Sequence, residues 1–297
     1  MPFALVPVWD GARLEVEVAH AGSSSRNADS VVVLLHPWGP LGGSCREPVV
    51  AGCFRYLRGQ GIAAWCCRYN TRGVGASETG GVAAWLATPS QRNERDVRDL
   101  LSVVEHALKE AASAAAAQQG SSSCRRRLWL VGYSHGSLVA CRALQLLQER
   151  LPAIDPGAEL AGVVAIAPPL GLICSLFLDA TASFRPFAQL GRAAAVVTAA
   201  AGANQPPARL AILGTCDNFT SCEQLRAALG DKEEEDEHEE GGGGGVQVRL
   251  LEGADHFFVG RVREVVECVS AFILEAEAKA RARGRRRDKL EEEDQSG

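Results

Sequence analysis

Ser134 sits at the centre of Gly132-Tyr133-Ser134-His135-Gly136. A serine hydroxyl is a weak nucleophile until a neighbouring base takes its proton. The apolar run at 128–131 reads as a short buried strand. Leu138, Cys141, Leu144 and Leu147 after it fall on one face of a helix. Gly-x-Ser-x-Gly between such a strand and such a helix places the serine on a sharp turn, where its Oγ is exposed. The two glycines let strand and helix approach where a Cβ would clash. A serine so placed needs a base, an acid to orient that base, and two N–H groups for the charge that develops on a carbonyl oxygen.

Six histidines are candidate bases. His20 and His106 are expected at a strand end and in mid-helix, and His238 lies in an acidic tract. His36 closes a strand ahead of the serine, and His135 leaves the turn in another direction. His256 follows the last expected strand, in Glu252-Gly253-Ala254-Asp255-His256-Phe257-Phe258, just before the final helix. For the acid, Asp217 ends a strand in Leu213-Gly214-Thr215-Cys216-Asp217. Its competitors are Asp155 in a Pro-flanked loop, Asp179, and Asp255, whose adjacency to His256 suits a loop cap better. One oxyanion donor is the His135 N–H. The other comes from the loop after residues 31–35, where Pro37 has no N–H, so Trp38 or Gly39 must donate.

These side chains need a scaffold, and the rest of the chain supplies one. The 297 residues are 46% hydrophobic and 23% charged, enough for one large α/β domain. Net charge is −5, yet residues 231–240 hold eight acids against one lysine, so the remainder is close to neutral. Charge therefore points to no nucleic-acid partner. The ten cysteines form no Cys-x-x-Cys pair and read as reduced thiols of a cytoplasmic protein. No apolar run is long enough for a membrane span, and the N-terminus lacks the basic-then-apolar order of a signal peptide. No cofactor fingerprint or metal site is expected. The partner is a small-molecule acyl substrate.

Strands are expected at 3–8, 14–18, 31–35, 62–69, 128–131, 162–167, 210–213 and 246–251. The strict alternation of Leu14-Glu15-Val16-Glu17-Val18 reads as a half-exposed strand, joined to the first through an Asp10-Gly11 turn. Helices are expected from about Pro48 to Arg58, after the capping box Thr88-Pro89-Ser90-Gln91, after the Ser134 turn, at 222–229, and from about 262. Alternating strands and helices imply right-handed crossovers and a mostly parallel sheet. Residues 168–207 form a small cap over Ser134. Leu172, Phe177 and Phe184 either line an acyl pocket there or pack the cap onto the domain; with no cluster of charges in the cap an apolar or neutral acyl group is expected, Arg185 being the one side chain able to hold a substrate carboxylate. Residues 231–245, acidic then five glycines, read as a solvated loop, and 280–297 as a charged tail in which a helix frays. The domain proper is 1–279.

Five motifs in order resemble the α/β-hydrolase-fold serine hydrolases of the esterase and serine-aminopeptidase kind. They are the loop from His36 to Gly42-Gly43, the loop with Asn70, Arg72, Gly73, Gly75 and Ser77, the Ser134 elbow, Gly214 to Asp217, and Gly253 to Phe258. The resemblance implies a mostly parallel central sheet with helices on both faces and a Ser134-Asp217-His256 triad, in that fold's chain order. It implies hydrolysis of a small ester, thioester or amide. Asn70 and Arg72 are expected to fix their loop, since the triad supplies every proton transfer. Trp38 departs from the small residue or histidine common at its position, and Cys216 before the acid is a further departure. The alternative function is a hydrolase-fold binding module that turns nothing over.

Overall fold

The computed structural model describes residues 3–22, 29–79, 87–117, 125–197, 206–230 and 245–295. The acidic–glycine tract at 231–244, with His238, lies outside them. Eight strands form one sheet in the order β1-β2-β4-β3-β5-β6-β7-β8. They are β1 Ala4–Pro7, β2 Arg13–His20, β3 Ser30–Leu35, β4 Trp65–Tyr69, β5 Arg126–Tyr133, β6 Ala158–Ile166, β7 Ala208–Gly214 and β8 Val246–Leu251. β1 and β2 pair antiparallel, as do β2 and β4, and every pairing from β4 to β8 through β3 is parallel. The helices are α1 Pro48–Gly59, α2 Pro89–Ala117, α3 His135–Ile154, α4 Leu172–Leu178, α5 Ala180–Val197, α6 Cys222–Leu229 and α7 Val262–Gln295.

The continuous apolar strands divide their side chains between two cores. Val31, Val33 and Leu35 of β3 face α2 and α3, whereas Val32 and Leu34 face α1 and α7. β5 does the same, with Leu128 and Leu130 on one face and Trp129, Val131 and Tyr133 on the other. Each strand thus ends under loops at the same C-terminal edge, where parallel sheets carry their sites.

Three expectations need correction. β2 is not half-exposed, because Glu15 and Glu17 are buried. Arg46 and Asn70 reach the Glu15 carboxylate and Arg68 reaches Glu17, so both charges are paired and hydrogen-bonded. β4 starts at Trp65 and not at residue 62, since α1 uses the preceding segment to close. Gly61 adopts φ 61° and donates to Arg58 O, while Ile62 N donates to Leu57 O, the paired bonds of a glycine-terminated helix end. Finally, α7 continues through Gln295, far into the segment read as a fraying tail.

Candidate active site

The turn after β5 holds Ser134 at φ 53°, ψ −121°, a backbone conformation that costs a non-glycine residue free energy. Its neighbours fix that conformation. Ser134 N donates to Ile166 O of β6 at 2.8 Å, and Ser134 O accepts from the Ser137 hydroxyl at 2.6 Å. The two motif glycines are required by contact. A Cβ on Gly132 would lie 2.3 Å from Gly136 O, and one on Gly136 would lie 2.6 Å from Leu35 O and 2.7 Å from His36 O. Packing at the elbow is thus backbone on backbone, and it sets Ser134 against the end of β3.

His256 and Asp217 reach Ser134 from the ends of β8 and β7. His256 Nδ1 donates to Asp217 Oδ2 at 2.8 Å, which leaves Nε2 as the acceptor for the Ser134 hydroxyl at 3.0 Å. The other carboxylate oxygen, Asp217 Oδ1, accepts from Phe219 N at 2.7 Å and Thr220 N at 3.1 Å. Three donors therefore converge on one buried carboxylate. The two loops touch through Gly214, where a Cβ would meet Ala254 O at 2.2 Å. Tyr133 Oη donates to His256 O at 2.9 Å, and the Phe219 ring lies 4.4 Å from the imidazole.

The competing acids are engaged elsewhere. Asp155 pairs with Arg126 beside the N-terminal end of β5. Asp179 pairs with Arg142 at 2.8 Å. Asp255 caps its own turn by accepting from Val259 N at 3.1 Å.

Two buried histidine rings, His36 and His135, anchor the backbone on either side of the elbow. His36 Nε2 accepts from Thr71 N at 2.9 Å, so its proton sits on Nδ1 and is donated to Pro37 O at 2.5 Å. Burial depresses its pKa to about 4, so the ring is neutral at neutral pH. The loop carrying Trp38 and Gly39 is thereby fastened to the 70–77 loop. Gly39 itself would clash with Val74 Cγ2 at 2.5 Å if it carried a Cβ. His135 heads α3, where first-turn N–H groups have no intrahelical acceptor. Its ring is buried and its pKa is pushed down to about 3 by desolvation. Asn93 of α2 gives its Nδ2 to Leu178 O at 2.6 Å and to Ser183 Oγ at 2.9 Å, which leaves Oδ1 to accept from His135 Nε2 at 3.1 Å.

Asn70 and Arg72 fix their loop, as expected from the sequence. Asn70 bridges Glu15 Oε2 at 2.6 Å and Cys45 N at 2.8 Å. Arg72 spans Asp99 at 2.7 Å and Asp10 at 2.8 Å. Arg46, then the Ala76 N–H and Asn70, hold the Glu15 pKa down to about 2.

The α4–α5 segment splits between the two roles left open for it. Phe184 is buried against Phe187, with ring centroids 5.1 Å apart, and both join the core that holds α3. The pocket role assigned to Phe184 is thus corrected: its ring packs the segment onto the domain. Leu172, Phe177 and Arg185 are exposed. A cavity of about 340 Å³ lies between β8 and α7, lined by Arg249, Glu264 and Phe272 among others, and no triad member borders it. The described residues hold no cluster suited to a metal ion. No described helix is long and apolar enough to cross a membrane.

No family model and no curated protein sequence matches the chain. Solved structures do. An α/β serine hydrolase homologue from Coxiella burnetii superposes with a TM-score of 0.59 at 19% identity, covering 91% of this chain and 97% of the other. An α/β serine hydrolase without lid from Xanthomonas campestris gives 0.59 at 20% identity, covering 92% and 93%. A Butyrivibrio proteoclasticus protein with ferulic acid bound gives 0.57 at 15% identity, covering 93% and 100%. With its mostly parallel eight-stranded sheet, helices on both faces and a serine on the turn after β5, the chain has the α/β-hydrolase fold.

Proposed function

We propose that the protein is a serine hydrolase that cleaves a small ester, thioester or amide through an acyl-Ser134 intermediate. The observation that carries this reading is the unbroken relay from Asp217 Oδ2 through His256 to Ser134 Oγ, at 2.8 and 3.0 Å. As Ser134 Oγ attacks the carbonyl carbon, its proton passes to His256 Nε2, and Asp217 stabilises the imidazolium and keeps the ring oriented. The carbonyl oxygen becomes an oxyanion held by the His135 N–H and by Trp38 N–H or Gly39 N–H. His256 then protonates the leaving group. A water molecule, deprotonated by the same nitrogen, releases the acid and restores Ser134. These steps call on no group beyond the chain and water.

A silent binding module would be favoured by His256 turned away from Ser134, and the observed distance is 3.0 Å. The test is a panel of p-nitrophenyl esters, acyl thioesters and aminoacyl amides against wild type and Ser134→Ala. Turnover of neutral acyl esters that Ser134→Ala loses supports the proposal. No Ser134-dependent turnover of any of the three classes refutes it.

A further inference from the structure

Acids drawn into this fold are matched to cations. Glu15, Glu17, Asp99, Asp155 and Glu277 are buried, and each pairs with an arginine. Glu47 breaks that rule. It is the half-buried N-cap of α1, and its Oε2 accepts from Val49 N at 3.0 Å and from Val50 N at 3.2 Å. Among the described residues its Oε1 has no donor and its carboxylate has no ion pair. The adjacent Arg46 is committed to Glu15 at 2.7 Å. Helix caps of this kind are ordinarily the shorter Ser, Thr, Asp or Asn. Capping alone therefore does not call for a glutamate.

Glu47 stands beside the triad. The loop that holds Trp38 and Gly39 runs directly into it, and Asn70 fixes that approach by accepting from Cys45 N at 2.8 Å. Val49 and Val50 are buried in the core that also holds Tyr133, Ala254 and Phe258. A Cβ on Gly52, one turn further, would lie 3.1 Å from Val262 Cγ1, so α1 rests on the segment that follows His256. Tyr133 Oη completes the link by donating to His256 O. Burial pushes the Glu47 carboxyl above its ordinary pKa, against the two cap amides and the nearby His256. Tyr133 in turn feels the Glu47 charge. α1 lies on the sheet face opposite α2, whose Asn93 holds His135. Glu47 thus belongs to the His256 side of Ser134.

We propose that Glu47 receives a cation carried by the leaving group, and that esters of amino or quaternary-ammonium alcohols are the substrate class. The proposal rests on the serine-hydrolase reading above. In that mechanism His256 Nε2 hands a proton to the leaving oxygen, so the alcohol part lies against His256 and within reach of Glu47. A half-buried carboxylate without a counter-charge gains more from an arriving cation than a solvated one does, since less water screens the pair. The N-terminus of α1 favours the carboxylate in its ionised form. The acyl group stays neutral, in keeping with the uncharged α4 sequence Leu-Ile-Cys-Ser-Leu-Phe-Leu.

The test measures kcat/KM by acid release for two esters of equal shape, butyrylcholine and 3,3-dimethylbutyl butyrate, which differ by a single positive charge. Wild type is expected to favour the choline ester by about 10-fold or more. Glu47→Asn keeps a good helix cap and removes the charge, and it should bring the ratio to about 1. Glu47→Asp keeps both cap and charge and should retain most of the preference. Taking the ratio within each variant cancels any loss common to the two esters, including one caused by a weaker helix start. A ratio near unity in wild type overturns the proposal, and so does a preference that Glu47→Asn keeps or that Glu47→Asp loses. An equal fall for both esters in Glu47→Asn assigns Glu47 to the His256 imidazolium and overturns the substrate class. Failure of the underlying reading looks different, since neither ester would then show hydrolysis that Ser134→Ala abolishes.

Discussion

The two walls of the Ser134 site are built on opposite principles. One wall, residues 36–43 and 70–77, is held by buried polar groups with every partner specified: His36 to Thr71, Asn70 to Glu15 and Cys45, and Arg72 to two aspartates. The other wall, α4 with the start of α5, is tied down by Arg92, Asn93, Arg142 and the Phe219–Thr220 segment, and it presents an outward apolar face. The proposed function asks the first wall to hold backbone amides still, as charge stabilisation demands. The same proposal leaves to the second whatever part of a substrate acyl group lies beyond the carbonyl, where shape and apolar area matter more than angles. On this proposal machinery and acyl selectivity are separated in space, and each should be breakable alone.

The largest effect is expected where the walls meet. Asp217→Asn should keep the fold and lower kcat by about 10⁴-fold, because the His256 tautomer is no longer fixed. Asp255→Asn removes only a turn cap to Val259 N and should change kcat by a few-fold at most. Comparable losses in the two variants would break the assignment of the acid. On the polar wall, Gly136→Ala pushes a methyl to within 2.6–2.7 Å of two backbone oxygens that cannot rotate away. Denaturant melts should show a loss of about 1–3 kcal/mol, the usual cost of overpacking.

Asn93 joins the walls, and its removal sharpens the distinction between them. Asn93→Ala strips the acceptor from a buried His135 N–H and the donor from Leu178 O, which costs about 1–3 kcal/mol of desolvated polar groups. Steady-state kinetics should show kcat falling by roughly 10-fold with a smaller change in KM, since the proposed mechanism gives the His135 amide to the oxyanion and not to a ground-state contact. A pure KM effect would place Asn93 with the apolar wall.

The smallest effect is a pH slope. His36 is neutral in the folded state with its pKa depressed from 6.5 to about 4, so the unfolded chain takes up the proton first. Its share of stability is present above about pH 6.5 and is lost as pH falls toward 4, by at most about 1.4 kcal/mol per pH unit. Glu15, held at about 2, extends the loss below pH 4.5. Thermal melts of His36→Asn should show a flatter slope between pH 6.5 and 4 than wild type. An unchanged slope would detach His36 from the acid sensitivity of this wall.

How much of this could be read from the chain follows the same division. The elbow, the loops at 214–217 and 253–258 and the Thr88–Gln91 capping box are local patterns, and local patterns survive in sequence. The burial of Glu15 and Glu17 does not, because alternating Glu and Leu reads as a half-wet strand until Arg46 and Arg68 arrive from other elements. Asn93 carries no local signal, as His135 lies 42 residues away. Phe184 and Phe177, seven residues apart in one apolar stretch, end on opposite sides of their wall because α3 covers only one of them.

The most direct measurement is intact-mass and peptide mapping after incubation with a fluorophosphonate probe. The expected result is one covalent adduct per chain, located on Ser134 and absent from Ser134→Ala. No adduct on the folded wild-type protein, or an adduct that persists in Ser134→Ala, would contradict the claim that the Asp217–His256 relay activates this serine.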